Sequence, residues 1–563
     1  MSPLSFPPSA ITRACSVYCY GALLSTVQLS GIYDDSKVFV DKPMKMSPEK
    51  VLRDFDLLSD PFSIPVLTTF LEDHFEEEGS DLKAWIPPDF QEMPRRLEQI
   101  ENVTYRQFAL DLNSLWIQLG REVDPEALKH PERHSFVMRK HPFIVPGGRF
   151  RESYYWDSWF IVQGLHACDM HQTSKYIIMN LLDDVENFGF VPNGGRIYYL
   201  DRSQPPVLSE MVMDYVKYMS INHDGFNDNE VLSFLESSYL TLKKEYAFWM
   251  NDENGHTWNF SSSVSSSVFK LNRYYSREES PRPESFAEDY EVRQNQTNDA
   301  IYKHIRAGAE SGWDFSSRWI RPTREDDGEL TYSDLSSIQT SEIIPVELNS
   351  IMYRFEKNLI EMANVLLRHT DDETSNISAS ELKEDIVTFE NAMNARKLAM
   401  VEILWDDAAA MYKDFNITAQ ASSEIISASC FVPFWAGLVE EESVDRSYNA
   451  FMNSNLLQQG GVLTTTISTS QQQWDSPNAW APVVLLIIDG LRKLNLSYAT
   501  ETAENIKSLW LNTCFIAFKN TGYMYEKYNA YEIGQGGGGG EYVPQVGFGW
   551  SNGVALKLLV EVE

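Results

Sequence analysis

Apolar residues recur along this chain with the period of a helix. Met352, Phe355, Leu359, Met362 and Leu366 step by three, four, three and four positions, which draws one stripe down a single helical face. Ile506, Leu509, Thr513 and Ile516 repeat the pattern. Arg396 to Trp405 also reads as helix, and Trp480 to Leu494 is apolar nearly all round, which predicts a helix buried on every side. Strand-type alternation is scarce, with Gly461 to Ile467 and Tyr523 to Tyr528 the best candidates. No run of Pro, Gly and Ser separates two cores; the nearest, Gly534 to Gly540, lies close to the last residue, Glu563. The pattern therefore predicts one large α-helical domain, although 563 residues at about 150 per domain would suggest several.

Composition supports a folded chain: 43% of residues are apolar and 13% aromatic, enough for a large core. Charge narrows the partners. With 81 acidic and 47 basic residues the formal net charge is −34, which disfavours nucleic acid and anionic membrane surfaces. The longest uncharged apolar run, Ala481 to Ile488, is too short to cross a bilayer. Met1 to Ala10 is rich in Pro and Ser and shows no signal peptide. Sequons at Asn102, Asn259, Asn295, Asn376, Asn416 and Asn495 favour secretion weakly. The acidic runs Glu76 to Asp81 and Asp371 to Asp385 read as solvated surface. Among five cysteines, Cys15 and Cys19 are placed to pair, while Cys168, Cys430 and Cys514 read as small buried hydrophobes.

Several motif matches are accidental. Gly534-x-Gly536-x-x-Gly539 fits a dinucleotide fingerprint, but Pro544 follows where a helix should run. Gly549-x-Ser551-x-Gly553 fits a nucleophile elbow, yet no His follows Ser551. His166, Cys168 and His171 lack a second ligand pair at zinc spacing, so no metal and no cofactor is expected.

The informative segments mix Trp and Tyr with Arg, Asp, Glu, Asn and Gln: Pro146 to Trp159, Pro192 to Pro206, Ser311 to Trp319, Gln473 to Pro482, and Tyr525 to Gly553. A sugar ring explains this mixture. Its C–H faces lie on aromatic planes, and its hydroxyls suit planar groups that make paired hydrogen bonds.

Pro146-Gly-Gly-Arg-Phe-Arg-Glu-Ser-Tyr-Tyr-Trp-Asp157 and Gln473-Trp-Asp-Ser-Pro-Asn-Ala-Trp-Ala-Pro482 resemble the two signature segments of the trehalases, α,α-trehalose glucohydrolases. The resemblance runs from about Tyr18 nearly to the last residue. It includes Asn193-Gly, Arg202-Ser-Gln204, Pro281-Arg-Pro-Glu284 and the Gly-rich segment ending in Glu541. Tyr18 to Leu24 and Asp35 to Asp41 are similar to the animal-type, secreted branch, which implies an extracellular protein; with no signal peptide visible, a cytoplasmic location stays open.

The resemblance implies an all-α fold, an (α/α)6 barrel of six inner and six outer helices around one pocket. Residues 17–563 would form the single catalytic domain, and residues 1–16 a poorly ordered N-terminal segment. It implies inverting hydrolysis of trehalose by water to α- and β-glucose. Asp314 would be the general acid, with a Trp-lined site such as Trp313 keeping it protonated, and Glu526 the general base. The implied binding residues are Arg149, Trp156, Asp157, Asn193, Arg202, Ser203, Gln204, Arg282, Glu284, Gly312 and Glu541. The Gly536 to Gly540 run would make Glu541 and Tyr542 a lid. Lys527, if it faced the site, would help ionise Glu526, though neighbours on a strand point apart. Two other readings stay open: a phosphorylase using the arginines for phosphate, and a non-catalytic sugar-binding protein.

Overall fold

The structure is a computed structural model and describes residues 8–222, 229–262, 267–294, 300–324, 330–332, 335–369 and 376–561. Asn295 and residues 371–375 of the second acidic run lie outside the described residues.

The barrel is built from α1 (Val103–Leu119), α2 (Tyr155–Ala167), α3 (His171–Phe188), α4 (Leu208–Asn222), α5 (Asn229–Met250), α6 (Val346–His369), α7 (Ala379–Ile403), α8 (Val432–Ala436), α9 (Val444–Met452), α10 (Ala481–Lys493), α11 (Ser497–Thr521) and α12 (Gly549–Val560). Helices α2, α4, α6, α8, α10 and α12 touch in that order, and α12 packs on α2 to close the inner ring. Helices α3, α5, α7 and α11 each fold back on the inner helix before them. Helix α1, from far earlier in the chain, backs α12. This is the (α/α)6 barrel that the resemblance implied, and it agrees with the helical domain that the periodicity predicted.

Position in the ring explains the hydrophobic pattern. An inner helix has protein on all sides, so α2 and α8 are buried along their whole length and α10 nearly so. The five-residue stripe from Met352 to Leu366 lies buried in α6. Each such side chain stabilises the fold by roughly 1.5–3 kcal/mol. The outer helices keep a polar face and need local signals for their ends. Helix α7, for example, starts at a capping box in which Ser378 and Glu381 bond each other's backbone.

Ring closure depends on two glycines. A Cβ on Gly164 of α2 would lie 2.4 Å from the Cα of Gly553 in α12, and one on Gly553 would lie 2.1 Å from the Phe160 oxygen. Only glycine permits this approach, so Gly553 is a packing residue, while Ser551 donates to the Tyr525 carbonyl at 2.6 Å. The accidental nucleophile motif is thus a helix-packing motif.

Strands are short. Of Gly461 to Ile467 only Gly461–Val462 is strand, paired with Leu457–Gln458, and near Tyr523 to Tyr528 the strand is Lys527–Asn529. The N-terminal part adds a smaller core against the loop end of the barrel, where Phe39, Leu67 and Phe70 meet Tyr154, Tyr198 and Tyr199. Of the segment expected to be poorly ordered, residues 1–7 lie outside the described residues. Pro8–Tyr18 is a helix with Ala10, Ala14, Val17 and Tyr18 buried and a Cys15–Cys19 disulfide. Cys168, Cys430 and Cys514 are buried free thiols. One acidic residue departs from its expected place on the surface: Asp81 is buried and accepts from Arg196 at 2.7 Å. No helix among the described residues is long and apolar enough to cross a membrane.

Candidate active site

The segments that precede the inner helices converge at the N-terminal end of the barrel bore. There they line one cavity. Asp157 sits in the first turn of α2, and the Trp156 N–H donates to Gln204 Oε1 at 3.1 Å, tying α2 to the segment before α4. Gly312 takes a positive φ of 71° beneath Trp156, where a Cβ would come within 2.9 Å of the indole. Its role is conformational, turning the chain so that Asp314 reaches the cavity.

Arg149, Trp156, Asp157, Asn193, Arg202, Gln204, Arg282, Glu284, Gly312, Asp314, Glu526 and Glu541 all line this cavity. Ser203 does not. Its hydroxyl donates to the Val191 carbonyl at 2.7 Å and its N–H to buried Glu310 at 2.9 Å. Neighbouring residues in an extended segment point to opposite sides, so Gln204 faces the cavity and Ser203 faces the core. Trp313 is also behind the wall, stacked on Trp474 with ring centroids 5.3 Å apart. The tryptophans at the cavity are Trp156, Trp474, Trp480 and Trp550. Trp474 and Trp480 lie parallel at 3.9 Å. Tyr542 and Phe548 complete the aromatic wall. Trp474 and Trp480 belong to a segment already marked by its composition; nothing in the linear pattern separates them from the core tryptophan Trp313.

Each arginine arrives already paired. Arg149 forks onto Asp35 at 2.7 and 2.8 Å. Arg202 bonds Glu284 at 2.5 Å and Asn193 at 2.9 Å. Arg282 bonds Asp289 at 2.6 Å and Glu541 at 2.8 Å. These pairs fix planar groups at the wall and limit the net charge inside it. Glu284 gives one oxygen to Arg202, while Oε2 is buried with no partner among the described residues; Trp474 Nε1 is likewise buried and unbonded among them. An acceptor and a donor left unmatched in one wall suit a ligand rich in hydroxyls.

The two proposed catalytic carboxyls sit differently. Burial pushes Asp314 up to about 6, against the pull of Arg282, and the charge of Glu526 adds to the rise. Burial raises Glu526 as well, opposed by Lys527 and by the Tyr542 hydroxyl, which donates to Oε1 at 2.7 Å. Lys527 Nζ lies 3.8 Å from Glu526 Oε2. Glu526 precedes the strand that begins at Lys527, so the alternation expected of strand neighbours does not separate them. Burial also raises Asp157 strongly, with Glu526 and Asp314 adding to it, and takes Glu541 up to about 7 despite Arg282.

Positioning comes from the second aromatic segment. Gln473 donates to the Asp314 carbonyl at 2.6 Å and accepts from Lys527 Nζ at 2.6 Å, bridging the segments that carry the two carboxyls. Buried Asp475 accepts from Ser316 Oγ, Ser317 N, Ser317 Oγ and Thr465 Oγ1 at 2.8–2.9 Å, and from Ser470. It thereby clamps the segment that follows Asp314. The described residues hold no group of three or more His, Cys, Asp or Glu side chains arranged for a metal ion.

Comparison with known proteins shows the family. The family model for trehalase matches residues 31–563. The chain is 38% identical to the trehalase of Homo sapiens over 551 residues, covering 96% of this chain and 88% of that protein. It is 37% identical to the trehalase of Apis mellifera over 555 residues, covering 96% and 83%. Among solved structures, the neutral trehalase of Saccharomyces cerevisiae superposes with a TM-score of 0.58 at 22% identity, covering 75% of this chain and 74% of that one, a likeness of fold. With its helical barrel and a match over nearly its whole length, the chain belongs to the trehalase family, a family of glycosidases.

Proposed function

We propose that this enzyme hydrolyses α,α-trehalose with inversion, Asp314 serving as general acid and Glu526 as general base. The observation that carries this reading is that the two carboxyls, unequally supported, face one cavity among groups suited to sugar hydroxyls. Protonated Asp314 gives its proton to the bridging oxygen as the bond from that oxygen to one anomeric carbon breaks. Glu526 takes a proton from a water molecule, whose oxygen attacks the same carbon from the opposite face. The leaving half departs as α-glucose and the attacked half as β-glucose. Arg149, Arg202 and Arg282 with their carboxylates hold the hydroxyls in place.

The pairing of every pocket arginine with a carboxylate argues for hydrolysis over phosphorolysis, because phosphate would have to displace those partners. Glu541 and Tyr542 bind Arg282 and Glu526 across the cavity, and we read them as a lid carried by Gly536 to Gly540. NMR of the first sugar released, in phosphate-free buffer, tests the reaction. Equal amounts of α- and β-glucose before mutarotation support it. Release of α-glucose alone would exclude inversion, and no release without phosphate would favour a phosphorylase.

A further inference from the structure

The bore has a second chamber. At the C-terminal end of the inner helices lies a cavity of about 330 Å³ that the proposed reaction does not use. Gln163, Asp214, Arg354, Trp435, Lys493 and Lys557 line it, one from each of α2, α4, α6, α8, α10 and α12, so it lies on the barrel axis. Helix α2 links the two ends: Trp156 lines the first cavity, and Gln163, seven residues or about 10 Å further along the helix, lines the second. Between them stand Trp159 and Phe160, with Phe160 edge-on to Trp156 at 5.8 Å.

We infer that this chamber is a second small-molecule site, for a neutral polyhydroxylated ligand of monosaccharide size. Three observations lead there. First, two buried polar atoms at the wall have no hydrogen-bond partner among the described residues: Gln163 Oε1 and His166 Nε2, on residues 8% and 7% exposed. Leaving such groups unmatched is costly, and a ligand or water that bonds them removes the cost. His166 lies flat against Tyr218 at 4.7 Å; burial, with Arg96 nearby, pushes it down to about 3, so it meets a ligand as a neutral imidazole. Second, Trp159 and Trp435 form an aromatic corner, 5.7 Å apart and inclined at 56°, which offers a face to C–H groups. Third, the wall carries as many carboxylates as basic side chains. Arg354 forks onto Glu210 at 2.7 and 2.8 Å, Lys557 bonds Asp489 at 2.8 Å, and Trp159 Nε1 donates to Asp214 at 2.9 Å. A balanced wall does not select an anion or a cation, whereas paired planar groups bond hydroxyls. The mixture repeats that of the first cavity on different residues, and the inference does not depend on the reaction assigned there.

Site-resolved NMR on the full chain carrying fluorinated tryptophan tests it, with D-glucose as probe up to about 100 mM and assignments from Trp435→Phe and Trp480→Phe. The Trp435 signal is expected to shift with glucose. Gln163→Leu and Asp214→Asn should each weaken that response about tenfold or more, the effect of a lost buried hydrogen bond to the ligand. The Trp480 response and the hydrolytic rate should stay within about twofold of the parent, since these residues lie outside the first cavity, which also shows that the variants fold. A Trp435 signal unmoved by glucose overturns the inference. So does a response equally strong in both variants, or one given by glycine or phosphate but not by glucose. Failure of the proposed hydrolysis would appear separately, in the rate and at Trp480.

Discussion

Tyr542 donates its hydroxyl proton to Glu526 Oε1 at 2.7 Å, joining the proposed base to the residue that follows Glu541 and the five-glycine run. The bond favours the ionised carboxylate and holds the Glu526 pKa below where burial alone would set it. Tyr542→Phe keeps the ring against Phe150 and removes only this bond. The acidic limb of kcat/KM should then move to higher pH, because more alkali is needed to ionise the base. At pH values below the parent's limb the rate should fall about fivefold, the worth of one hydrogen bond. A limb that stays in place would separate Tyr542 from the base.

Asp314 strains the fold in return for its chemistry. Its folded pKa of about 6 lies above the ordinary 3.8, so the folded chain binds more protons than the unfolded chain between those values. The stability contribution of such a group is complete below the unfolded pKa and is lost as pH rises through the folded one. Asp314→Asn removes that titration. At pH 7 the variant should be more stable on the order of 1–3 kcal/mol, and at pH 3 about equal to the parent. Denaturant midpoints at the two pH values measure this difference.

Asp314→Asn and Glu526→Gln should each lower kcat on the order of 10²-fold or more, with sugar affinity kept within about threefold. Stopped assays and equilibrium binding on the same preparations make the comparison. Unchanged turnover in either variant removes that residue from the proposed pair.

Asp475 touches no ligand in this scheme, yet it accepts bonds from Ser316 and Ser317 in the loop after Asp314 and from Thr465. In Asp475→Asn one acceptor oxygen becomes an NH2 group facing donors. The variant should lose about 2–3 kcal/mol of stability and lower kcat about tenfold with KM little changed, since the acid is misplaced more than the sugar contacts. Asp475→Glu tests positioning separately. It keeps the charge but moves it, and should recover stability more than rate.

Gly536 to Gly540 connect strand Lys527–Asn529 to Glu541 and Tyr542, which bind across the cavity mouth. If these residues open to admit substrate, limited proteolysis should cut between Gly536 and Val543 in the free enzyme. Cutting should slow about tenfold or more with a transition-state mimic bound. Equal cleavage in both states rules out the lid.

The helical fold class was legible because period is a local property. A stripe such as Met352 to Leu366 states which face of one helix is buried, and the all-apolar Ala481 to Ile488 states that α10 has protein on every side. Asp157, Asp314 and Glu526 were legible as candidates because the segments around them carry a composition that a core does not need, and because those segments resemble a known family. Strand bounds were read less well: at Gly461 only two residues pair, since short strands here are set by the loops they join.

Sequence alone determined the helical fold class, which follows from periodicity, and its resemblance to a known family pointed to the barrel and to twelve of the residues that line the first cavity. Tertiary structure decided the rest. It placed Gln204 in the cavity and Ser203 in the core, put Trp474 and Trp480 rather than Trp313 at the cavity wall, and gave Arg149 and Arg282 the partners Asp35 and Asp289. It also put Gln163, Asp214 and Trp435 around a second chamber. The reason is geometric. Each choice depends on which residues distant in sequence meet when α12 closes on α2, and no local spacing records that closure.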